Sequence, residues 1–226
     1  MVRIMISFDR DDYFSQTDFL YELCKDDNEK RELLTNLIVI DIVTSIEVYT
    51  ERLLKQFLKL VNKIGLTTCK INNRLKVEQS IELVDKLSSA VKNGGDIGKV
   101  ERQLLIIKKL WSEGESFNID CKVKYPKGKH GELQLKKLFE KVGIDNIFRR
   151  IDIPQPESSL LDEDDFDTAS FIGELTAKRN LAIHEGAPLH ASISLETLEF
   201  YINTSSKVLT EFTRVMNEEL AAYQGA

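Results

Sequence analysis

The sequence has few of the residues that interrupt helices. It contains only four prolines and eleven glycines among its 226 residues. Proline removes a backbone donor and glycine weakens helix interiors, so both are common where short strands and tight turns alternate. Their scarcity favours long helices and argues against a meander of short strands.

Cysteine is also scarce, and its spacing excludes the common cysteine frameworks. The three cysteines, Cys24, Cys69 and Cys121, lie far apart and form no CxxC pair. This arrangement is typical of reduced structural thiols, so we expect a cytoplasmic protein. No export or transmembrane segment is predicted, because charges come early in the chain and Asp41 and Glu47 interrupt the one long apolar run.

The chain lacks the excess of basic residues that a passive nucleic-acid coat needs. Its 37 acidic residues outnumber its 31 basic residues, which gives a formal net charge of −6. Because phosphate binding draws on basic surface, broad coverage of nucleic acid is disfavoured. An enzyme with a local basic cleft is still compatible with this charge. Hydrophobic residues at 42% and charged residues at 30% are typical of a globular protein.

Apolar residues recur at helical spacing along most of the chain. The longest pattern predicts one helix from Asn28 to Lys63, with Leu33, Leu37 and Leu54 among its apolar positions. Further helices are predicted over about 74–92, 97–111, 132–142, 165–184 and 195–222. Asp96 and Ser194 precede two of them and are the predicted N-caps. The predicted fold class is all-α, an up-and-down helical bundle with an irregular middle insertion.

The whole chain, residues 1–226, is predicted to form one domain. Residues 66–131 are its candidate insertion, within which 114–131 hold a proline, glycines and a lysine cluster and therefore predict a loop. Residues 151–164 hold two prolines and several acids and predict a linker.

The segment ELTAKRNLAIHEG, residues 174–186, carries the residues best suited to chemistry. His184 can remove a proton from a ribose 2′-hydroxyl, since histidine exchanges protons near neutral pH. Arg179 can donate two hydrogen bonds to a phosphate and stabilise the charge that builds there. Asn180 can orient either group or the ribose. Together they are the parts that metal-free RNA cleavage through a 2′,3′-cyclic phosphate requires.

At these residues the chain resembles the HEPN superfamily, whose signature is an arginine, usually a polar residue next, and a histidine after a short gap. Here Asn180 follows Arg179, four residues separate Arg179 from His184, and Gly186 comes soon after. The pattern is most similar to the RiboL-PSP type of HEPN protein, found among bacterial defence and toxin–antitoxin systems. The resemblance covers about 28–65 and 132–222. It implies an all-α endoribonuclease that needs no metal or cofactor and acts on RNA.

The spacing of the motif raises a geometric question. On an ideal helix Asn180 and His184 share a face with the small residues Ser170, Gly173 and Ala177, which suits close approach by a second helix. Arg179 points roughly 140° away from His184 on that helix. The resemblance implies that two motifs meet across a homodimer, which would bring the groups together. A helix that ends before His184 would do the same, and the residues leave both answers open.

Four more residues are candidate RNA contacts. Lys127, Lys129 and His130 belong to the lysine-rich loop, and Lys178 precedes the motif arginine. For His130, a solvated loop position is favoured over a role in guiding RNA.

Three functional hypotheses follow from these residues and the resemblance. The first is an endoribonuclease acting as a toxin or anti-phage defence effector, as a homodimer controlled by an antitoxin or another defence-system partner. The second is a non-catalytic helical module that binds RNA or protein. The third is the toxin partner of a nucleotidyltransferase antitoxin that modifies the site. Arg179 with His184 favours the first, whereas the acidic total charge favours the second.

Overall fold

The computed structural model describes residues 5–92, 96–120, 122–125, 129–153, 166–185, 189 and 192–225. Within these ranges the protein is all-α, as predicted, with seven α-helices and no β-strand. The helices are α1 (Asp11–Asp26), α2 (Arg31–Ile64), α3 (Asn73–Lys92), α4 (Ile97–Trp111), α5 (Glu132–Lys141), α6 (Thr168–Asn180) and α7 (Leu195–Gly225).

Helix α2 is the centre of the bundle. It packs against α1, α5, α6 and α7. Ile38, Ile42 and Leu54 are fully buried along it, and burial of one such side chain stabilises the fold by roughly 1.5–3 kcal/mol. The helix ends at Gly65, whose left-handed backbone (φ 72°) is the conformation that terminates many helices. The predicted long helix is confirmed.

The hydropathy of α2 comes from its place in the core. By length and composition alone it could cross a membrane, but 56% of its most apolar window is buried inside the protein. A helix that contacts four others must be apolar over most of its circumference.

The apolar pattern predicted the helices better than it predicted their buried faces. Leu33 and Leu37 of α2 are 59% and 39% exposed, although both belong to the predicted apolar stripe. On α3 the residues Ile81, Val84 and Val91 are likewise exposed. Helix α3 packs mainly on α4 and more lightly on α5, so part of its apolar surface has no neighbour within the described chain.

Helix ends follow the predicted capping in both cases. Asp96 Oδ1 accepts the Gly98 N–H at 2.9 Å at the start of α4. Ser194 Oγ accepts the Thr197 N–H at 3.1 Å at the start of α7.

Helix α6 begins at Thr168, later than predicted, because the Asp167 carboxylate caps it. Of the predicted linker, residues 154–164 lie outside the described residues.

Gly143 follows α5 and lies against Asn72, just before α3. We expect Gly143→Ala to destabilise the protein. The φ of Gly143 is +88°, and an added Cβ would meet Asn72 Nδ2 at 2.5 Å. Asn72 cannot easily move, because its Oδ1 accepts the Leu75 N–H at 2.7 Å and its Nδ2 donates to Tyr223 Oη. A left-handed residue with a side chain costs on the order of 1–3 kcal/mol, to which the clash adds.

Chemical denaturation of Gly143→Ala beside Gly65→Ala separates the two effects. Gly65 has φ +72° and nothing within 4 Å of its added Cβ, so its alanine variant carries the backbone strain alone. Equal losses in both variants would show that the clash with Asn72 contributes nothing.

Candidate active site

The motif arginine and histidine lie on either side of a change in helix type. Arg179 and Asn180 end α6, and Leu181–Glu185 continue as one turn of π-helix that contains His184. A π-turn hydrogen-bonds residue i to i+5 instead of i+4, so it is wider than an α-turn. Such turns are rare and occur frequently at functional sites.

This π-turn bears on the geometric question that the sequence left open. On a regular α-helix Arg179 and His184 diverge, but in the wider turn residues five apart come toward one face. Arg179 and His184 line the same cleft within one chain. The meeting of two motifs across a homodimer stays a prediction.

The cleft lies between the start of α5 and the end of α6. Its volume is about 470 Å³. It is lined by Lys129, His130, Gln134, Arg179, Asn180, Ile183 and His184. Among these described lining residues there is no acid, although the chain as a whole is acidic. The cleft is thus a local basic site of a size that admits part of a polynucleotide.

Gly131 brings the lysine-rich loop against α6. It precedes α5 with φ +92°, and a Cβ there would already contact Thr176 of α6 at 3.4 Å. The positive φ favours glycine here, whereas an added Cβ would make only an ordinary contact with Thr176. Since Lys129 and His130 immediately precede it, the turn places them beside the end of α6.

Two acids of α2 hold this loop from the other side. Glu47 Oε1 lies 2.6 Å from His130 Nδ1, and Glu51 Oε1 accepts the Tyr125 N–H at 2.7 Å. The two carboxylates are one helical turn apart, so they face the same segment. The interpretation of His130 as a solvated loop residue is wrong, because its side chain is only 21% exposed and is bonded to Glu47.

Arg179 remains available to a ligand. Its Nη1 donates to Asn180 Oδ1 at 3.1 Å, which is the orienting role that the sequence suggested for an asparagine. Its Nε is buried and has no hydrogen-bond partner among the described residues. An unpaired buried donor is costly, whereas the part of the guanidinium that lines the cleft can donate to an anion there.

Burial and neighbouring groups shift the pKa of the Glu47 carboxyl in opposite directions. Burial raises the pKa of the Glu47 carboxyl, whereas the hydrogen bond with His130 and the nearby Arg179 guanidinium oppose that rise. A largely buried carboxyl with such opposing influences is typical of functional sites.

Of the other predicted RNA contacts, Lys129 lines the cleft and Lys178 does not. Lys129 is exposed and lines the cleft. Lys178 does not line it, because its Nζ pairs with Glu174 at 3.5 Å. Glu174 also accepts a hydrogen bond from Tyr201 Oη at 2.6 Å, so it holds α6 to α7. Lys127 and Gly186 lie outside the described residues.

Only part of the predicted strip of small residues is exposed and open to a partner. Ser170 and Ala177 are exposed, but Gly173 faces α5, where an added Cβ would meet Glu132 Oε2 at 3.2 Å. A bulky residue at position 173 would therefore collide with the protein's own helix before it met a partner.

Sequence reasoning missed Glu47, Gln134 and Ile183 as neighbours of the motif. Glu47 left one signal, since it is an acid within the most apolar helix of the chain. Such a position calls for a hydrogen-bonded partner, because a buried carboxylate without one is costly. Gln134 and Ile183 left none, because their place in the cleft depends on how α5 packs against α6.

An arginine, an asparagine and a histidine thus line one basic cleft of an all-α bundle. The sequence matches the family described as RiboL-PSP-HEPN over residues 8–218. The chain therefore belongs to the RiboL-PSP-HEPN family, and this membership indicates an RNase-type module. The matched range includes 66–131, the section that the motif resemblance left out. No curated protein and no solved structure matches the chain.

Proposed function

We propose that the protein is a metal-independent endoribonuclease whose reaction is carried by Arg179, Asn180 and His184. The observation that supports it most is the meeting of all three side chains in one basic cleft of an acidic protein. A general base and a fixed cation in one cleft are sufficient for internal attack by the ribose 2′-hydroxyl.

Each residue has a distinct part in this reaction. His184 is exposed and takes the 2′-proton. Arg179 binds the scissile phosphate, and its charge opposes the negative charge that grows on the phosphoryl oxygens. Asn180 holds the guanidinium through the 3.1 Å hydrogen bond. Lys129 draws the RNA backbone to the cleft by charge.

The test is cleavage of a defined single-stranded RNA with and without EDTA. We expect equal rates in both, together with products that carry a 2′,3′-cyclic phosphate and a 5′-hydroxyl. The same oligonucleotide with deoxyribose at the cleaved position should resist, because it lacks the attacking oxygen. A 3′-hydroxyl product, or activity lost in EDTA, would contradict the mechanism.

We further propose that the enzyme acts in the cytoplasm as a toxin or anti-phage defence effector under the control of a partner protein. Family membership supports an effector of this kind. The two described cysteines, Cys24 and Cys69, are both free, in keeping with a reducing compartment. Exposed apolar residues on α4, such as Ile97 (75%) and Leu105 (65%), offer a surface for an antitoxin.

We propose that the protein is a homodimer whose axis runs beside α6. Apolar side chains are exposed on α2, which packs against α6, at Leu37 (39%) and Val48 (40%), and in the cleft at Ile183 (43%). A two-fold contact would cover these residues and place two clefts side by side.

Ala177→Arg should therefore convert the dimer to a monomer while leaving the melting temperature nearly unchanged. Ala177 is exposed on the predicted strip, so a long charged side chain there meets a partner rather than the protein's own core. Gly173 on the same strip is less suitable, because an added side chain there would first meet Glu132. Sedimentation velocity at micromolar concentration measures the change, with Lys59→Ala on the exposed surface of α2 as control. A monomeric wild-type protein would refute the dimer.

A further inference from the structure

The cleft contains a second histidine that the family motif does not use. His130 reaches it from the start of α5, opposite His184 on the π-turn. We propose that His130 is a second catalytic residue, which donates a proton to the leaving 5′-oxygen, and that Glu47 positions it. The inference rests on the proposed ribonuclease activity and assigns it a two-histidine, acid–base mechanism.

The first support is the way in which His130 is held. Its Nδ1 lies 2.6 Å from Glu47 Oε1, a short distance typical of a hydrogen bond to a charged group. With Nδ1 used for that bond, Nε2 is the nitrogen free for substrate. The side chain is only 21% exposed, so its ring is fixed in place, as a proton donor to a bound substrate must be.

The second support is the difference between the two histidines. His184 is exposed, and no hydrogen bond to a carboxylate is seen for it among the described residues. His130 is held by a carboxylate, which fixes the orientation of its ring. The two rings therefore stand in different environments, and paired groups in different environments can divide acid and base roles.

The step balances without any further reactant. His184 removes the 2′-proton while the 2′-oxygen forms its bond to phosphorus. The bond from phosphorus to the 5′-oxygen breaks, its electron pair stays on that oxygen, and the oxygen takes the proton of His130 Nε2. The products are a 2′,3′-cyclic phosphate and a 5′-hydroxyl. His184 ends protonated and His130 neutral, and exchange with water restores both.

A purely structural pair would hold the loop without touching the substrate, and one variant separates the two roles. In His130→Asn the amide nitrogen can keep the hydrogen bond to Glu47, since Asn Nδ2 occupies the place of His Nδ1, but the side chain cannot supply the proton that the imidazole would give. We expect its melting temperature to stay near that of the wild type while its cleavage rate falls by about 10²- to 10⁴-fold.

The decisive substrate is an RNA whose scissile 5′-oxygen is replaced by sulfur. A thiolate leaves without protonation, because thiols are far stronger acids than alcohols. His130→Asn should therefore cleave this substrate at nearly the wild-type rate. His184→Ala should remain slow on it, since the 2′-hydroxyl still needs its base.

Glu47→Ala tests the positioning residue with the same two substrates. Without the carboxylate that holds Nδ1, the ring of His130 is no longer fixed toward the cleft. The variant should therefore be slow on the oxygen substrate and nearly normal on the sulfur substrate, a difference that loss of packing alone would not cause. Glu47→Gln, which keeps an oxygen that can accept from Nδ1, should restore much of the rate on the oxygen substrate.

The outcomes separate this inference from the proposed function. A wild-type protein that cleaves RNA, with His130→Asn slow on the oxygen substrate and rescued by the sulfur substrate, supports it. Unchanged cleavage in His130→Asn, or equal losses on both substrates, overturns the role of His130 and leaves the ribonuclease intact. A wild-type protein that cleaves neither substrate refutes the proposed function and this inference with it.

Discussion

His184→Ala and Arg179→Ala are each expected to reduce RNA cleavage by about 10²- to 10⁴-fold. The first variant removes the base that takes the 2′-proton, and the second removes the cation that stabilises the phosphoryl charge. His184 is exposed and Arg179 half-buried, and neither belongs to the buried apolar core. Both variants should therefore keep their melting temperatures near that of the wild type. Cleavage rates and thermal denaturation, measured on the same preparations, check both statements.

Lys25→Ala is the matched control for the loss of a positive charge. Lys25 lies on α1 and pairs locally with Glu22 at 2.7 Å, so its removal should leave cleavage unchanged. If His184→Ala and Arg179→Ala both cleave RNA as fast as this control, the site is not catalytic. The non-catalytic binding module then becomes the better hypothesis. Arg179→Lys adds a finer test, because a lysine keeps the charge but not the planar pair of donors.

Phe212→Ala is expected to produce the largest loss of stability, on the order of 3–5 kcal/mol. Phe212 of α7 and Phe139 of α5 are both fully buried, with ring centroids 4.8 Å apart. Truncating one ring leaves a cavity where α5 meets α7, and surrounding atoms cannot fill it completely. Since α5 carries one wall of the cleft, cleavage by this variant should also fail at a lower temperature than in the wild type.

Urea denaturation of Phe212→Ala and Phe19→Ala measures the difference. Phe19 is 63% exposed on α1, so its truncation should change the free energy of unfolding by no more than about 0.5 kcal/mol. Comparable losses in the two variants would show that the contact between α5 and α7 contributes little to the fold.

Much of the fold was predictable because it depends on local signals. The length of α2, the stop at Gly65 and the caps at Asp96 and Ser194 each follow from a few neighbouring residues. Which apolar residues become buried does not follow from neighbours. Leu33 has the same spacing as residues that are buried, yet it is 59% exposed, because burial depends on where other helices lie.

The candidate site divides in the same way. Arg179, Asn180 and His184 stand in one short segment and were recognisable as a motif. His130 was visible only as a histidine among lysines, and Glu47 only as an acid in an apolar helix. Their contact joins residues 83 positions apart. The sequence pattern does not show which residues so far apart will touch.

By itself, the sequence determined the all-α class, the caps at Asp96 and Ser194 and the identity of the motif, since backbone hydrogen bonding and capping act over a few residues. Only the tertiary structure decided which side chains share the cleft. The packing of α5 on α6 at Gly131 placed His130 there, and α2 supplied Glu47 to hold it. The π-turn aligned Arg179 with His184. The positions of His130 and Glu47 depend on contacts between distant segments, which form only when the helices pack together.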